Sequence, residues 1–258
     1  MAEIGFLGTG GAVPSAERDN MSFVIVRGDR SILVDCPGGA FPKLKKLGLD
    51  PRSVGHIAVT HIHPDHVYGL PAFIHSLMLD EGTVVLWGSA DTVEFCGRLL
   101  DLFRLRDRKI RRRVEFRSLA PGDEIEAEPG FRLSALRVPH HSSSLAFRFA
   151  FEPDGRTLAY SGDTAAHPPF FAWAAGCDAV VHDCSAPARF FRQHPALAAM
   201  HTSALDLGLM SAQVGIRLLI PGHFFGEVDF AVSEIEDEIR SRFAGRLIIP
   251  HDLMRIAL

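Results

Sequence analysis

Short apolar runs separated by polar turns divide the 258-residue chain into two halves, and each half repeats the same order of elements. The first opens with the strand-like runs IGFL, SFVIV and SILVDC, the last two joined across Gly28-Asp29, a pair that favours a two-residue hairpin turn. FPKLKKLGL then has the apolar spacing of a short helix ending at a glycine, and the strand-like HIAVTH follows it. A helix from about Leu70 to Asp80, a strand TVVLW and a longer helix from about Ala90 to Arg106 complete this half. The second half starts again with strands: VEFRSL, FRLSALRV, LAFRFAF and TLAYSGD, set apart by Gly, Pro and Asp turns. It continues with the strand DAVVHDC, the helix TSALDLGLMSAQVG, the strand RLLIPGHF and the charged helix VSEIEDEIRSRF. Strands first and strand-helix alternation afterwards, twice over, predict an α/β protein of two mixed sheets packed face to face with helices outside, a four-layer αββα sandwich. No linker or low-complexity stretch interrupts residues 1–258, so a single domain is expected.

Five apolar runs end in side chains that can bind a metal. HIAVT leads into His61, His63, Asp65 and His66; LSALRVP into His140 and His141; TLAYSG into Asp163; DAVV into His182 and Asp183; RLLIPG into His223. Strand ends are where loops converge on a site, so clusters far apart in sequence can meet in space. A single histidine after a strand is ordinarily a surface or hydrogen-bonded core residue, and His56, His75, His167, His194 and His251 are read in that way. THIHPDH (60–66) is different, because three imidazoles and a carboxylate fall within six positions. His61 and His63 point to one side of an extended loop, whereas Asp65 and His66, past Pro64, emerge in another direction. The stretch therefore offers halves of two sites, which His140, Asp163 and His223 can complete, with the two oxygens of Asp163 free to bridge. Nitrogen and carboxylate ligands suit zinc, and also manganese or iron, while the absence of nearby cysteines argues against a structural Cys-rich zinc site.

Composition adds exclusions. With 47% hydrophobic and 22% charged residues the chain is globular, and a net charge of -4 provides no global field for nucleic acid. The start MAEIGFLGTGG lacks a basic region followed by an apolar core, and no apolar run reaches the roughly 18 residues of a membrane span, so a cytoplasmic location with no membrane partner is expected. Cys36, Cys96, Cys177 and Cys184 form no Cys-x-x-Cys pair and are expected as reduced, buried thiols.

The motifs HIHPDH, VPHH, SGDT and PGHF together resemble the metallo-β-lactamase superfamily, and the resemblance extends over nearly the whole chain. LGTGGAVPSAERDN, ILVDCPGG and HTSALDLGLMSAQVGIRLLIPGHF are similar to the branch containing ribonuclease Z and related phosphodiesterases. The resemblance implies an αββα fold and a binuclear centre, usually zinc. One ion would be held by His61, His63, His140 and Asp163, the other by Asp65, His66, Asp163 and His223. His140 is preferred to His141 because the family's apolar-small-aromatic-Arg run starts five residues after the ligand, and LAFR starts at Leu145. HTSALDL resembles the branch's His-Ser-Thr-Ala segment and gives His201 a place near the scissile phosphate. VVHDCS resembles its His-Glu-Ala-Thr segment, with Asp183 in the glutamate position but one methylene shorter. Without the resemblance, His201 reads as a helix-start residue beside a capping Thr202 or Ser203, and Asp183 as a buried carboxylate held by backbone donors.

Two ions sharing a water lower its pKa from about 15.7 towards about 7, so hydrolysis by a metal-activated hydroxide is the expected reaction. Asp65 can orient that nucleophile, and His201, oriented by Asp183, can assist the leaving group. The segments similar to ribonuclease Z favour a phosphodiester. So does the run RLRDRKIRRRVEFR (104–117), with eight Arg or Lys in fourteen residues, although its charge equally suits a helix end passing into an edge strand. Residues 141–162 leave no room for the protruding arm with which ribonuclease Z grips transfer RNA, so a small phosphodiester such as a cyclic nucleotide is expected and nucleic acid is not favoured. The alternatives are a lactone, carboxylic ester, thioester or aryl sulfate hydrolase on the same metals, and a di-iron redox or binding protein. By analogy with the branch a homodimer is possible, with the helix around Leu99 to Leu105 as a contact.

Overall fold

Two sheets lie face to face in the computed structural model, which describes residues 2–258. The strands of the first half are β1 (Glu3–Gly8), β2 (Ser22–Arg27), β3 (Arg30–Val34), β4 (Val54–Ala58), β5 (Gly82–Gly88) and β6 (Arg112–Ser118). Those of the second are β7 (Glu124–Glu128), β8 (Phe131–Arg137), β9 (Leu145–Phe151), β10 (Arg156–Tyr160), β11 (Ala179–Asp183), β12 (Leu218–Gly222), β13 (Arg246–Leu247) and β14 (Arg255–Ala257). The helices are α1 (Ala40–Lys46), α2 (Pro64–Val67), α3 (Leu70–Ser76), α4 (Ala90–Leu102), α5 (Pro168–Ala174), α6 (Ala188–Gln193), α7 (Pro195–Ala198), α8 (Ala204–Val214) and α9 (Val232–Arg240).

The sheet orders are β14-β1-β2-β3-β4-β5-β6 and β13-β12-β11-β10-β9-β8-β7. In each, hairpin-connected strands pair antiparallel and the later helix-connected strands pair parallel, so both sheets are mixed as expected. Arg27 faces Arg30 across the hairpin turn, where Gly28 takes a left-handed φ of 61°. The inter-sheet core joins Phe6, Phe23 and Ile25 to Phe147, Phe149 and Tyr160. One outer layer packs α1, α3 and α4 on the first sheet, and the other packs α5, α8 and α9 on the second. All four cysteines are free and buried. Among the described residues no helix is long and apolar enough to cross a membrane.

VEFRSL, expected to open the second half, is instead β6, the edge strand of the first sheet paired parallel with β5, and three further details differ from the expected ones. The helix that starts at Leu70 stops at Ser76, and α4 stops at Leu102 because Arg104 adopts a left-handed φ of 54°. Strand β7, EIEAE, escaped notice because an edge strand of alternating charges carries little apolar signal. The basic run from Arg104 to Arg117 follows the end of α4 as a turn and continues into the edge strand β6. Much of its charge is matched locally: Arg106 bonds Asp101 at 2.9 Å, Arg117 bonds Glu115 at 3.1 Å and Arg111 pairs with Glu81. Arg112 is buried and donates to the carbonyls of Glu81, Arg52 and Val54.

His182 is completely buried on the outer face of β11, where its ring lies 5.0 Å from Phe170 and 4.9 Å from Phe171. Burial pushes its pKa down to about 4. The folded protein therefore resists a proton that the unfolded chain accepts, and stability is lost as pH falls from about 6.5 to about 4, by up to ~3 kcal/mol. Denaturant midpoints at pH 7 and pH 5 are expected to differ less in His182→Leu than in the parent. An equal pH dependence in both proteins would refute the assignment.

Candidate metal centre

The C-terminal ends of the strands carry the polar clusters, and special backbone geometry presents them. After β4 the chain extends through Thr60 and His61 to Pro64, which opens α2 and sets Asp65 and His66 in its first turn. After β10, Gly162 turns with φ 58°, and a Cβ there would lie 3.0 Å from the side chain of Thr60. This glycine lets the chain bend against the neighbouring loop and deliver Asp163. His223 follows β12 with φ 65°, and Asp35 follows β3 with φ 54°. Left-handed backbone at residues other than glycine concentrates where a side chain must be aimed.

Two groups of ligand atoms result. In the first, His63 Nδ1 lies 3.0 Å from both His61 Nε2 and His140 Nε2, and Asp163 Oδ2 is 3.8 and 3.7 Å from the latter two nitrogens. In the second, the same Asp163 Oδ2 lies 3.3 Å from His66 Nε2 and 3.1 Å from His223 Nε2, while Asp65 Oδ2 lies 3.3 and 3.5 Å from those nitrogens. Ligand atoms at about 2.0–2.1 Å from a tetrahedral ion are roughly 3.3 Å apart, so both groups have the size of a divalent-cation site. His66 Nε2 and Asp163 Oδ1 are buried without a hydrogen-bond partner, an arrangement that a bound cation relieves.

The far sides of the rings are held by hydrogen bonds. His140 Nδ1 donates to Met200 O at 2.9 Å and His66 Nδ1 donates to Asp35 Oδ2 at 2.9 Å, which leaves both Nε2 lone pairs facing the cluster. His61 Nδ1 meets Thr60 Oγ1 and His223 Nδ1 meets Ser185 Oγ, each at 3.1 Å. Burial and neighbouring imidazoles hold His61, His63 and His140 below the ordinary histidine pKa, so this group is neutral and ready to donate lone pairs. The second group is richer in carboxylate. Burial opposes charge on His66 and His223, yet Asp163 and its fellow carboxylates outweigh it, raising His66 well above its usual value and His223 up to about 10. A divalent ion competes with those protons for the same atoms.

His201 borders this cluster. Its ring stacks on His223 with centroids 5.2 Å apart, and its Nδ1 donates to Asp183 Oδ2 at 2.9 Å. Asp183 is itself fixed by Thr164 N–H at 3.0 Å and Ser185 Oγ at 2.6 Å, so the shorter carboxylate reaches His201 without a glutamate's extra methylene. His141 bonds Ser143 Oγ at 2.8 Å and leaves His140 as the residue whose Nε2 meets His63. His182, grouped with Asp183 as a strand-end polar residue, is turned to the outer helical layer instead. Asp35 was missed. Fully buried, it accepts from Thr60 N–H at 2.8 Å, Thr60 Oγ1 at 3.0 Å and His66 Nδ1, and its only signal was the carboxylate closing the apolar run SILVD.

Residues 2–208 match the protein family described as Anti-Pycsar protein Apyc1. The chain belongs to the Apyc1 family. This Apyc1-family chain is also 25% identical to ribonuclease Z of Methanosarcina acetivorans, over an alignment covering 100% of the chain and 98% of the relative. Among solved structures, the metallo-β-lactamase fold protein YhfI from Bacillus subtilis matches with a TM-score of 0.82 at 18% identity, covering 99% of the chain and 98% of YhfI. Human tRNase Z, short form, matches with a TM-score of 0.80 at 19% identity, again covering 99% and 98%. The expected metallo-β-lactamase fold is therefore the fold of this Apyc1-family chain.

Proposed function

We propose that this chain is a binuclear metal-dependent phosphodiesterase whose substrate is a small phosphodiester such as a cyclic nucleotide. The observation that carries the choice of a small substrate is the hairpin between His140 and Asp163. β9 and β10 pair from Phe151 opposite Arg156 up to Phe147 opposite Tyr160, with residues 152–155 as the whole connection. Nothing in that hairpin extends from the cluster to grip a long substrate. The Methanosarcina ribonuclease Z alignment runs over 308 positions, more than the 258 residues here, so that relative carries insertions this chain lacks.

His61, His63, His140 and Asp163 would hold one ion, and Asp65, His66, Asp163 and His223 the other, with zinc the best match to the nitrogen-rich donors. When bound, the ions supply Lewis acidity and an acidified water. Asp65, 11% exposed at its side chain, could orient that water. His201 Nε2 faces the cluster while Nδ1 is anchored on Asp183, so the imidazole can donate to a phosphoryl oxygen or to the leaving oxygen. Thr164 and Ser185 keep Asp183 in position to stabilise charge on that ring. A homodimer contact at the end of α4 belongs to the same proposal, because Leu102 and Phe103 are 79% and 63% exposed there.

Zinc-loaded protein is expected to cleave bis(4-nitrophenyl) phosphate and cyclic nucleotides, to leave precursor transfer RNA uncut, and to be inactivated by Asp65→Ala. Turnover of a lactone or aryl sulfate without turnover of either phosphodiester class would overturn the proposal.

A further inference from the structure

One sizeable cavity lies away from the candidate metal ligands. It has a volume of about 720 Å³ and opens between the sheets at the β2–β3 turn, the β7–β8 turn and the starts of β4 and β5, whereas the ligands follow the opposite, C-terminal ends of β4, β10 and β12. Small-molecule pockets occupy about 300–1,000 Å³, so the size is that of a ligand site. Its inner wall is apolar and comes from both sheets: Ile25, Ile32 and Val85 from the first, Phe131 and Phe151 from the second. Around the mouth Arg30 is paired with Glu128 and Arg52 with Asp50, whereas Arg27 donates only to the Gly130 carbonyl, at 2.8 Å, and has no carboxylate partner among the described residues.

One N–H in the wall has no acceptor at hydrogen-bond length among the described residues. His56 is only 6% exposed, and its Nδ1 accepts from Trp87 Nε1–H at 3.0 Å. Indole nitrogen is solely a donor, so the imidazole proton resides on Nε2. The nearest acceptor recorded for that Nε2–H is Glu128 Oε2 at 3.6 Å, beyond hydrogen-bond length, and Glu128 is already engaged by Arg30. Burial lowers the pKa of His56, which keeps the ring a neutral, single donor. A fixed N–H between apolar side chains, with the carboxylate-free guanidinium of Arg27 at the mouth, is the recognition pattern for an acceptor group on an apolar body.

We propose that this cavity is a second binding site, for a small amphipathic anion whose ring-sized apolar body lies between the sheets and whose carboxylate, sulfonate or phosphate accepts from His56 and meets Arg27. The site is independent of the hydrolytic reading above. Calorimetric titration of the metal-loaded protein with 2-naphthalenesulfonate is expected to show saturable one-to-one binding, and the neutral 2-naphthylmethanol is expected to bind more weakly. His56→Ala should weaken the sulfonate at least about tenfold, the usual worth of a hydrogen bond to a charged group. Because His56→Ala also removes the partner of Trp87, two variants that fill the cavity serve as the second test. Thr83→Trp from the first sheet and Ala127→Trp from the second should each abolish binding while metal content and circular dichroism stay unchanged. No saturation at millimolar probe, or undiminished binding in both tryptophan variants, overturns the site.

Discussion

An Asp163→Asn protein is expected to retain fewer than one divalent ion per chain and to lose phosphodiester hydrolysis by at least about 10³-fold. One oxygen, Oδ2, lies between 3.1 and 3.8 Å from the ring nitrogens of His61, His66, His140 and His223, so both ligand groups are completed by the same atom. The amide matches the carboxylate in volume and leaves the packing intact. It removes the negative charge that both ions would share, and it can place N–H donors against lone pairs that point at metal. Burial disfavours a charged Asp163, and His223 and His66 nevertheless hold it well below the usual carboxylate range, which shows how strongly the surroundings select the anion. Plasma emission spectrometry of the purified variant reads the metal content directly. Two ions per chain in Asp163→Asn, with a normal circular dichroism spectrum, would show that the carboxylate does not join the two groups.

His201→Ala is expected to lower kcat by about 10²–10⁴-fold with metal content unchanged. The ring is anchored at Nδ1 by Asp183 and leaves Nε2 towards the cluster. General-acid help matters most when the leaving oxygen is a poor one. Loss of activity should therefore be much larger for a cyclic nucleotide, which expels an alkoxide, than for bis(4-nitrophenyl) phosphate, which expels a stable phenolate. Asp183→Asn should share this dependence on the leaving group to a smaller degree, since Thr164 N–H and Ser185 Oγ still hold the side chain while its charge is gone. Equal losses on both substrates would assign His201 to packing or to ground-state binding rather than to proton transfer.

The gathering of these side chains was legible because they follow apolar runs, and apolar runs are the strongest signal that a sequence of this class carries. The same rule misgrouped His182, although the period of two had the answer: Val181 and Asp183 lie on one side of β11, so the residue between them faces outward. Asp35 was less visible. A lone carboxylate after a strand looks like an ordinary turn residue until Thr60, His66 and Tyr160 are seen gathered around it. The carbonyl of Met200, which fixes the tautomer of His140, has no sequence signature at all, because every residue owns a carbonyl. At the other end of the sandwich His56 has the sequence context of an ordinary surface or core histidine. Its environment comes from Trp87, Phe131 and Glu128, residues on three different strands or their pairs, which only the register brings together.

The order in which the cluster's residues are strung along the chain bears on its assembly during synthesis. His61 to His66 are made early, yet neither ligand group is complete until residue 163, and the second waits for His223 after β12. A growing chain thus displays imidazoles and a carboxylate with no finished site behind them, and domains generally fold as units once their parts have emerged. The proposed hydrolytic activity would in this way be withheld from the nascent protein until most of both sheets exists to enclose the site.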